Sequence, residues 1–377
     1  MLYLNAHSRF QEFTIEGERL GQSVISFKLN GVPTLFIKAF TSSDVECILE
    51  FVREANAMRS QASETVLFID TPITLRTIEA VVKLKEEGYR VHFRDHHGID
   101  GEPVNQRDVL VQQGTAKLEK LLSDDCTITV RRLHPACSTL VEVGEFKDAV
   151  AIIADPDPDG LTAAMKSVGI SYPELDSDAA LLDGEPFLQV TGSPISQLLA
   201  KGAATLPSYD AKNHDYRERC TQKLFSDWVA AVQGDKTAEE RLMKGVAAYD
   251  DAVVVAQDLS KTAREVLPGV VLVDCTDQPV YDPGTLISIL EKKHDCRISV
   301  LRKSLGPIAA HHGVQYSLAV SKPYQDKINL QKLMPLDTRS DPQYGVITNV
   351  SFLLHVSEYF WNEQVLPGLR DIVEQTA

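Results

Sequence analysis

Residues able to bind a divalent metal ion occur together at positions 94–98 (Arg-Asp-His-His-Gly), directly after the apolar-alternating run 89–93. Side chains alternate between the two faces of a strand, so His96 and His97 are expected to point in different directions. One imidazole can then ligate a metal while the other faces whatever the metal binds. For this stretch alone, a polar turn that happens to contain two histidines is the alternative interpretation.

Two further predicted strands also end on carboxylates. One is the run 66–70, which ends at Asp70, and the other is the run 149–154, which continues into the acidic segment 155–159 (Asp-Pro-Asp-Pro-Asp). Carboxylates and imidazoles that converge at the carboxyl ends of strands are the donors that a pair of hard or borderline divalent metal ions needs. Three such strand ends in one chain therefore predict a metal site.

These residues resemble the signature of the DHH phosphoesterase superfamily. The resemblance lies in Asp95-His96-His97 preceded by the lone strand-end Asp70, and in the run 154–164, which is similar to the family's first motif in its RecJ-like form. The family includes RecJ-type exonucleases, oligoribonucleases, cyclic-dinucleotide phosphodiesterases, exopolyphosphatases and manganese pyrophosphatases. The resemblance covers residues 33–210 well and the C-terminal third only loosely.

The resemblance implies a role for each signature residue. Asp70 would bridge two Mn²⁺ ions, with Mg²⁺ or Co²⁺ as substitutes, and His96 would ligate one of them. His97 would donate to the substrate phosphate, and Asp95 would orient the imidazoles and fix their tautomers. Two divalent ions roughly 3.5–4 Å apart activate a hydroxide, neutralise charge at phosphorus and stabilise the leaving oxygen. The further metal ligands implied by the acidic segment are Asp155, Asp157 and Asp159.

The order of the motifs departs from the family pattern. The family's first motif precedes the Asp70 equivalent, but the corresponding run 36–44 keeps at most Asp44. In one interpretation, Asp155 is the fourth-motif ligand, and the other two aspartates of the acidic segment replace the missing carboxylates. In the alternative, the domain is permuted, 149–168 is the true first motif, and the fourth motif lies near 192–210, where Asp210 is the nearby carboxylate.

Composition limits the class of substrate. The chain of 377 residues is long enough for two domains, and its 38 basic and 53 acidic residues give a formal net charge of −15. This balance argues against a protein that grips long nucleic acid through a broad basic surface. The six cysteines include no Cys-x-x-Cys pair, so neither a zinc site nor a disulfide framework is indicated. No signal peptide or membrane-spanning run is visible, and we expect a cytoplasmic protein.

Strands alternate with helices from Pro33 onward, which predicts an α/β fold with a doubly wound parallel sheet. Right-handed crossovers place the carboxyl ends of such strands on one edge of the sheet. We predict an N-terminal β appendage, a catalytic domain, connecting helices and a smaller C-terminal α/β domain, with the active site in the cleft between the two domains. Their respective boundaries are 1–33, 34–212, 213–265 and 266–377. The predicted strands of the catalytic domain are 34–37, 66–70, 89–93, 126–131 and 149–154, and its predicted helices are 43–58, 75–87, 105–122 and 160–168.

The C-terminal domain is expected to bind the substrate. The family's associated domain offers a glycine-rich loop that holds the substrate, and the nearest candidate here is His311-His312-Gly313, with Arg302 on the preceding strand. A histidine pair before a glycine can grip a phosphate or a nucleobase edge. Two exposed loop histidines without a ligand are the alternative.

These observations predict a manganese-dependent phosphoesterase that acts on nucleotides, short oligonucleotides or dinucleotides by a two-metal mechanism. The alternatives are a RecJ-like single-strand-specific 5′ exonuclease, an exopolyphosphatase or pyrophosphatase, and a degenerate member retained as a binding scaffold. The expected partner is a small phosphorylated substrate or a short single-stranded nucleic acid, and no membrane. A homodimer is compatible with the sequence, which does not define the oligomeric state.

Overall fold

The structure is a computed structural model. It describes residues 25–39, 42–58, 63–103, 106–184, 192–206, 214–277, 280–294, 296–304, 314–333, 344–347, 351–356 and 358–375. The predicted loop 311–313, residues 1–24 of the predicted N-terminal appendage and Asp210 lie outside these residues. Within them, no helix is both long enough and apolar enough to cross a bilayer.

Strands and helices alternate along the first half of the chain, and the second half adds two long helices and further strands. The strands are β1 (Ile25–Leu29), β2 (Val32–Phe36), β3 (Thr65–Ile69), β4 (Arg90–Asp95), β5 (Cys126–Ile128), β6 (Ala151–Ala154), β7 (Arg264–Leu267), β8 (Val270–Asp274), β9 (Ile298–Ser304), β10 (Val314–Val320), β11 (Tyr344–Ile347) and β12 (Ser351–Val356). The helices are α1 (Ser42–Ala57), α2 (Leu75–Glu86), α3 (Gln106–Leu122), α4 (Pro158–Ser167), α5 (Leu175–Gly184), α6 (Pro194–Ala204), α7 (His214–Val232), α8 (Lys236–Leu259), α9 (Pro283–His294) and α10 (Leu366–Glu374).

The first sheet has the strand order β1-β2-β6-β3-β4-β5. Strands β2 to β6 are parallel, as the alternation of strands and helices predicts, and β1 is antiparallel to β2. Strand β6, the last of these in sequence, lies between β2 and β3. The acidic segment 155–159 therefore leaves the sheet beside the residue that follows β3.

Both faces of this sheet are covered, which explains why its central strands are apolar at successive positions. Leu35, Phe68 and Ile153 belong to the core that packs against α1 and α2. Their strand neighbours Phe36 and Ile152 belong to the opposite core, which includes residues of α4, α6 and α7. The sheet is thus enclosed between two helical layers, and polar groups meet at the strand ends.

The N-terminal hairpin differs from the sequence-based expectation. The predicted boundary at residue 33 passes through β2, whose residues Thr34 to Phe36 pair with Ile152 to Ala154 of β6. The Asn30-Gly31 turn is present, with positive φ at both residues, and it connects β1 to β2 within the main sheet. The apolar strand β2 needs partners on both sides, which an isolated two-stranded appendage would not provide.

The second sheet has the order β11-β12-β10-β9-β8-β7. Only β8 and β9 are parallel among its described pairs, and helix α9 connects them. The other described pairs are antiparallel, so this unit is mixed rather than a second parallel sheet. Tyr316 on β10 stacks on Trp361 with ring centroids 4.0 Å apart, and both belong to the core beside this sheet.

Gly160 in the first turn of α4 should be required for the acidic segment to pack. A Cβ there would lie 2.4 Å from the carbonyl oxygen of Asp155 and 3.0 Å from its amide nitrogen. We expect Gly160→Ala to lower the free energy of unfolding by about 1–3 kcal/mol, because backbone must move to admit the methyl group. The measurement is urea denaturation.

Gly245 in the interior of α8 provides the matched control, because a Cβ there meets no atom within 4 Å. Gly245→Ala should raise the free energy of unfolding by about 0.5–1 kcal/mol, the usual difference between these residues in a helix. A Gly160→Ala variant as stable as wild type would contradict the tight approach of α4 to Asp155.

Candidate metal centre

Three adjacent parallel strands end at the same level of the first sheet. Ile69 of β3 pairs with Ala154 of β6 on one side and with Arg94 of β4 on the other. The next residue on each strand is Asp70, Asp155 or Asp95, so the strand register itself aligns these carboxyl groups. The sheet thereby brings together residues that are up to 85 positions apart in sequence.

Three groups of side chains there have metal-ligand geometry. In each group, one ligand atom per residue lies within 4.8 Å of the others. Asp70 belongs to two of the groups and His96 to two, so the three form one continuous cluster. The groups are Asp70-Asp155-Asp157, Asp70-His96-His97 and His96-Asp159-Asp183.

Many of the polar atoms in this cluster are buried without a hydrogen-bond partner within the described structure. Buried carboxylate oxygens are costly unless they are hydrogen-bonded or bound to a cation, and native proteins contain few such groups. Their concentration around Asp70 indicates that this cluster can bind metal. The unpartnered atoms are both oxygens of Asp70, Oδ1 of Asp155, Oδ1 of Asp159, Oδ2 of Asp183 and Nε2 of His96.

His96 is held with its Nε2 lone pair facing the carboxylates. Its Nδ1 lies 2.8 Å from the carbonyl oxygen of His134, so Nδ1–H donates and Nε2 carries no proton in the neutral ring. Nε2 is 3.2 Å from Oδ2 of Asp159 and 3.4 Å from Oδ1 of Asp70. Burial, assisted by His97, lowers the pKa of His96 to about 4. The imidazole is therefore neutral near pH 7 and available as a ligand.

His97 has a different environment. Its Nδ1 lies 2.8 Å from Oδ1 of Asp95, and its Nε2 lies 2.7 Å from Nη2 of Arg131. Nδ1–H thus donates to the carboxylate, and Nε2 accepts from the guanidinium. The side chain is 25% exposed, whereas that of His96 is completely buried. The structure therefore places Asp95 against His97, and the two adjacent histidines have different hydrogen-bond partners although both lie in one ligand group with Asp70.

The acidic segment is built around the start of α4. Asp157 is the N-cap residue and accepts from the amide of Gly160 at 2.9 Å, and Pro158 occupies the first helical turn. Asp159 accepts from the amide of Cys137 at 2.9 Å through Oδ2, which leaves Oδ1 without a hydrogen bond. These backbone contacts fix two of the three aspartate side chains of the segment independently of any metal.

Burial raises the pKa of Asp70 well above its ordinary value, and the like charges of Asp159 and Asp157 raise it further. Burial also raises the pKa of Asp159, with Asp183 as the next cause. Both effects follow from placing several carboxylates in one buried volume. A divalent cation bound among these carboxylates would instead lower the pKa values of Asp70 and Asp159.

Asp183, near the end of α5, is a cluster residue that the sequence analysis missed. Its Oδ2 lies 3.6 Å from Nε2 of His96, and its Oδ1 lies 2.9 Å from Nη2 of Arg131. Burial raises the pKa of this carboxyl to about 6. A signal was present in the sequence, because an aspartate in the last turn of a helix faces the negative end of the helix dipole. Helix α5 itself was not predicted, so this signal could not be used.

The remaining candidate residues lie elsewhere. Asp44 is buried in the first turn of α1 and belongs to none of the three ligand groups found among the described residues. The 36–44 run instead contributes Lys38, whose Nζ lies 2.9 Å from Oδ2 of Asp155. Arg302 on β9 is 2.7 Å from Asp274 and also contacts Glu358. The other candidates of the substrate loop, residues 311–313, lie outside the described residues.

Two solved structures are weakly similar to this chain. No protein-family model matches the chain, and no curated protein is significantly similar to it. Among solved structures, the pGpG-specific phosphodiesterase PggH from Vibrio cholerae is similar with a TM-score of 0.36 and 13% identity, over 83% of this chain and 99% of that one. A protein from Methanococcus jannaschii described as a putative family II inorganic pyrophosphatase is similar with a TM-score of 0.17 and 13% identity, over 87% of this chain and 88% of that one. Both are named for hydrolysis at phosphate, but at TM-scores this low neither likeness carries an argument, and the function of this chain is inferred from its own residues.

Proposed function

We propose that this chain is a divalent-metal-dependent phosphoesterase of the DHH superfamily that hydrolyses a small phosphodiester. The observation that carries the proposal is the set of buried, unpartnered ligand atoms around Asp70. Unpaired buried carboxylates destabilise a fold, so a cluster of this kind is expected only where a cation compensates it. The donors are carboxylate oxygens and imidazole nitrogen, which suit Mn²⁺, with Mg²⁺ or Co²⁺ as substitutes.

Two of the three ligand groups would each hold one ion, and the third, Asp70-His96-His97, connects them through Asp70 and His96. One ion would be held by Asp70, Asp155 and Asp157, and the second by Asp70, His96 and Asp159 together with Asp183. Asp70 would then be shared by both ions. When bound, the ions would supply an activated hydroxide and neutralise charge on the phosphoryl oxygens.

Protein groups around the ions would orient the reaction. Asp95 holds Nδ1–H of His97, which directs Nε2 toward the more open side of the cluster. Asp95 would also stabilise an imidazolium at His97, whose Nε2–H could then donate to a phosphoryl or leaving oxygen in place of the contact that Nε2 accepts from Arg131. His134 performs the corresponding task for His96 through its carbonyl oxygen and leaves Nε2 free to bind metal.

The substrate is inferred to be small, such as a dinucleotide or a short oligonucleotide. A formal net charge of −15 disfavours a long polyanion, whereas two divalent ions would neutralise a small phosphorylated molecule locally. We assign catalysis to residues 34–212 and substrate coverage to residues 266–377. Arg302 is neutralised by Asp274 and Glu358, so its predicted role in substrate binding would require exchange of these partners.

A hydrolysis screen tests this proposal directly. Protein loaded with Mn²⁺ should hydrolyse at least one member of a panel of a chromogenic diester, dinucleotides, short single-stranded oligomers and inorganic polyphosphate. Asp70→Asn, which removes the shared ligand, should abolish this activity. Stepwise digestion of oligomers from the 5′ end would favour the exonuclease alternative. Stoichiometric Mn²⁺ binding without hydrolysis of any substrate would instead support a binding scaffold.

The effect of Asp159→Asn on stability should change sign with metal. Asparagine can keep the acceptor for the Cys137 amide but removes a charge that is repelled by its neighbours. With chelator, the variant should therefore melt at the same temperature as wild type or higher. With Mn²⁺ at about 100 times its Kd, wild type gains about 2.7 kcal/mol, and the variant should gain much less.

Asp100→Asn is the matched control for this comparison. Asp100 is exposed and paired with Arg132, so its replacement should leave the response to Mn²⁺ unchanged. The readout is the melting temperature of the three proteins with chelator and with Mn²⁺. If Asp159→Asn were destabilising with chelator and still responded fully to Mn²⁺, Asp159 would not be a ligand.

Substitutions of the two histidines should have different effects on metal binding and on turnover. His96→Ala should lose Mn²⁺ and activity together, because Nε2 faces Asp70 and Asp159 directly. His97→Ala should retain Mn²⁺ and lose about 10²–10⁴-fold in turnover, the usual contribution of a general acid or base. Calorimetric titration and steady-state rates check both statements. Equal loss of metal in both variants would contradict this division.

A further inference from the structure

We propose that Arg131 is a phosphate-binding residue of this site and that metal binding at Asp183 makes it available to the phosphate. This inference rests on the proposed function and adds a residue that the signature of the sequence does not contain. Arg131 follows the short strand β5 and lies beside both His97 and Asp183.

Only part of the hydrogen-bonding capacity of the Arg131 guanidinium is used. Both of its contacts pass through Nη2, which lies 2.7 Å from Nε2 of His97 and 2.9 Å from Oδ1 of Asp183. Nη1 and Nε have no hydrogen-bond partner within the described part of the chain. A guanidinium has five N–H donors in a planar fork that matches two oxygens of a phosphate. Donors therefore remain for an anion even while the present contacts persist.

Arg131 also lies on the accessible side of the cluster. Its side chain is 35% exposed, whereas that of Asp183 is 9% exposed and that of Asp159 is 1% exposed. A phosphate that approaches the buried ligands from solvent would meet Arg131 and the partly exposed His97 before the carboxylates. Arg131 is therefore placed where an incoming anion needs a cation.

The backbone holds this residue in position. Val130 forms a bridge with His97, and the amide of Gly98 donates to the carbonyl oxygen of Thr129 at 2.7 Å. The residue before Arg131 is thus paired with the histidine that Arg131 contacts. This pairing limits the movement of the two side chains relative to each other, as a site for one phosphate group requires.

Asp183 connects Arg131 to the metal. Its Oδ2 faces His96, and its Oδ1 contacts Arg131. A cation at Oδ2 would draw electron density from the carboxylate and weaken its attraction for the guanidinium. Metal binding should then favour phosphate binding, and by thermodynamic linkage phosphate should favour metal binding equally. Phosphate that ligates the metal would produce such coupling by itself, so the contribution of Arg131 is the part of the phosphate affinity that the Arg131 variants lose while they keep Mn²⁺.

The test measures Mn²⁺ binding and inorganic phosphate binding by calorimetry on the full-length chain, without reliance on turnover. Wild type should bind phosphate more tightly with Mn²⁺ than without it. Arg131→Ala should keep the Mn²⁺ stoichiometry but bind phosphate about ten- to a hundredfold more weakly, the usual effect of losing a charge-assisted contact. Arg131→Lys, which keeps the charge but loses the planar fork, should give an intermediate affinity.

Arg132→Ala is the matched control, since Arg132 is the next residue, is 68% exposed and pairs with Asp100. It should bind Mn²⁺ and phosphate as wild type does. Unchanged phosphate affinity in Arg131→Ala, loss of Mn²⁺ from both Arg131 variants, or absence of phosphate binding to Mn²⁺-loaded wild type would each overturn the inference. Failure of wild type to bind Mn²⁺ at all would contradict the proposed function, and the inference with it.

Discussion

Mutual repulsion among buried carboxylates around Asp70 is the constraint on which the rest of this site depends. Asp155 and Asp157 lie in one ligand group with Asp70, and Asp159 and Asp183 lie in another with His96, whose Nε2 is 3.4 Å from Oδ1 of Asp70. Two carboxylates a few ångströms apart in a medium of low dielectric cannot both be ionised without a compensating cation. The fold must therefore hold these carboxylates together against their mutual repulsion. The strand order and the backbone contacts around Asp70 do this.

The strand order is the main feature that brings the carboxylates together. Because β6 lies between β2 and β3, the acidic segment begins one residue beyond the pairing of Ala154 with Ile69. The backbone of Asp70 has a φ of 56°, which is uncommon for a residue other than glycine, and its amide donates to the carbonyl oxygen of Arg94 at 2.9 Å. A conformation of this kind costs about 1–3 kcal/mol and persists only where surrounding structure fixes it. Here the paired strands on both sides fix it.

Local sequence pattern predicted the strand ends well and the arrangement of strands poorly. Alternation and turn residues located β3, β4 and β6 to within about two residues, because these signals depend on neighbouring positions. The insertion of β6 beside β3 depends on contacts between residues far apart in sequence, which no local pattern contains. Both interpretations of the acidic segment place it at this position, so the choice between a replaced and a permuted first motif stays open. The acidic residue that completes the cluster is nevertheless Asp183, and not a residue of the 192–206 segment that the structure describes.

The position of Asp183 is a second feature that local sequence pattern does not predict. Helix α5 is short and begins with several acidic residues, so its sequence resembles a solvated loop as much as a helix. The position of Asp183 opposite His96 follows from the packing of α5 against α4 and the turn at 137–140. Its contacts with His96 and Arg131 are tertiary, in contrast to those of Asp176 on the same helix, which pairs with Lys166.

The N-terminus of α4 offsets part of the charge of the acidic segment, but the magnitudes show that it is not sufficient. A helix dipole stabilises a nearby carboxylate by about 0.3–1 kcal/mol, and up to about 2 kcal/mol when partly buried. Burial of an ionised carboxylate costs several kcal/mol even after relaxation. Lys38 at Asp155 and Arg131 at Asp183 add one cation at each end of the cluster, whereas both oxygens of Asp70 are buried with no hydrogen-bond partner among the described residues. The remaining deficit of positive charge is therefore centred on Asp70, the carboxylate that we propose is shared by both ions.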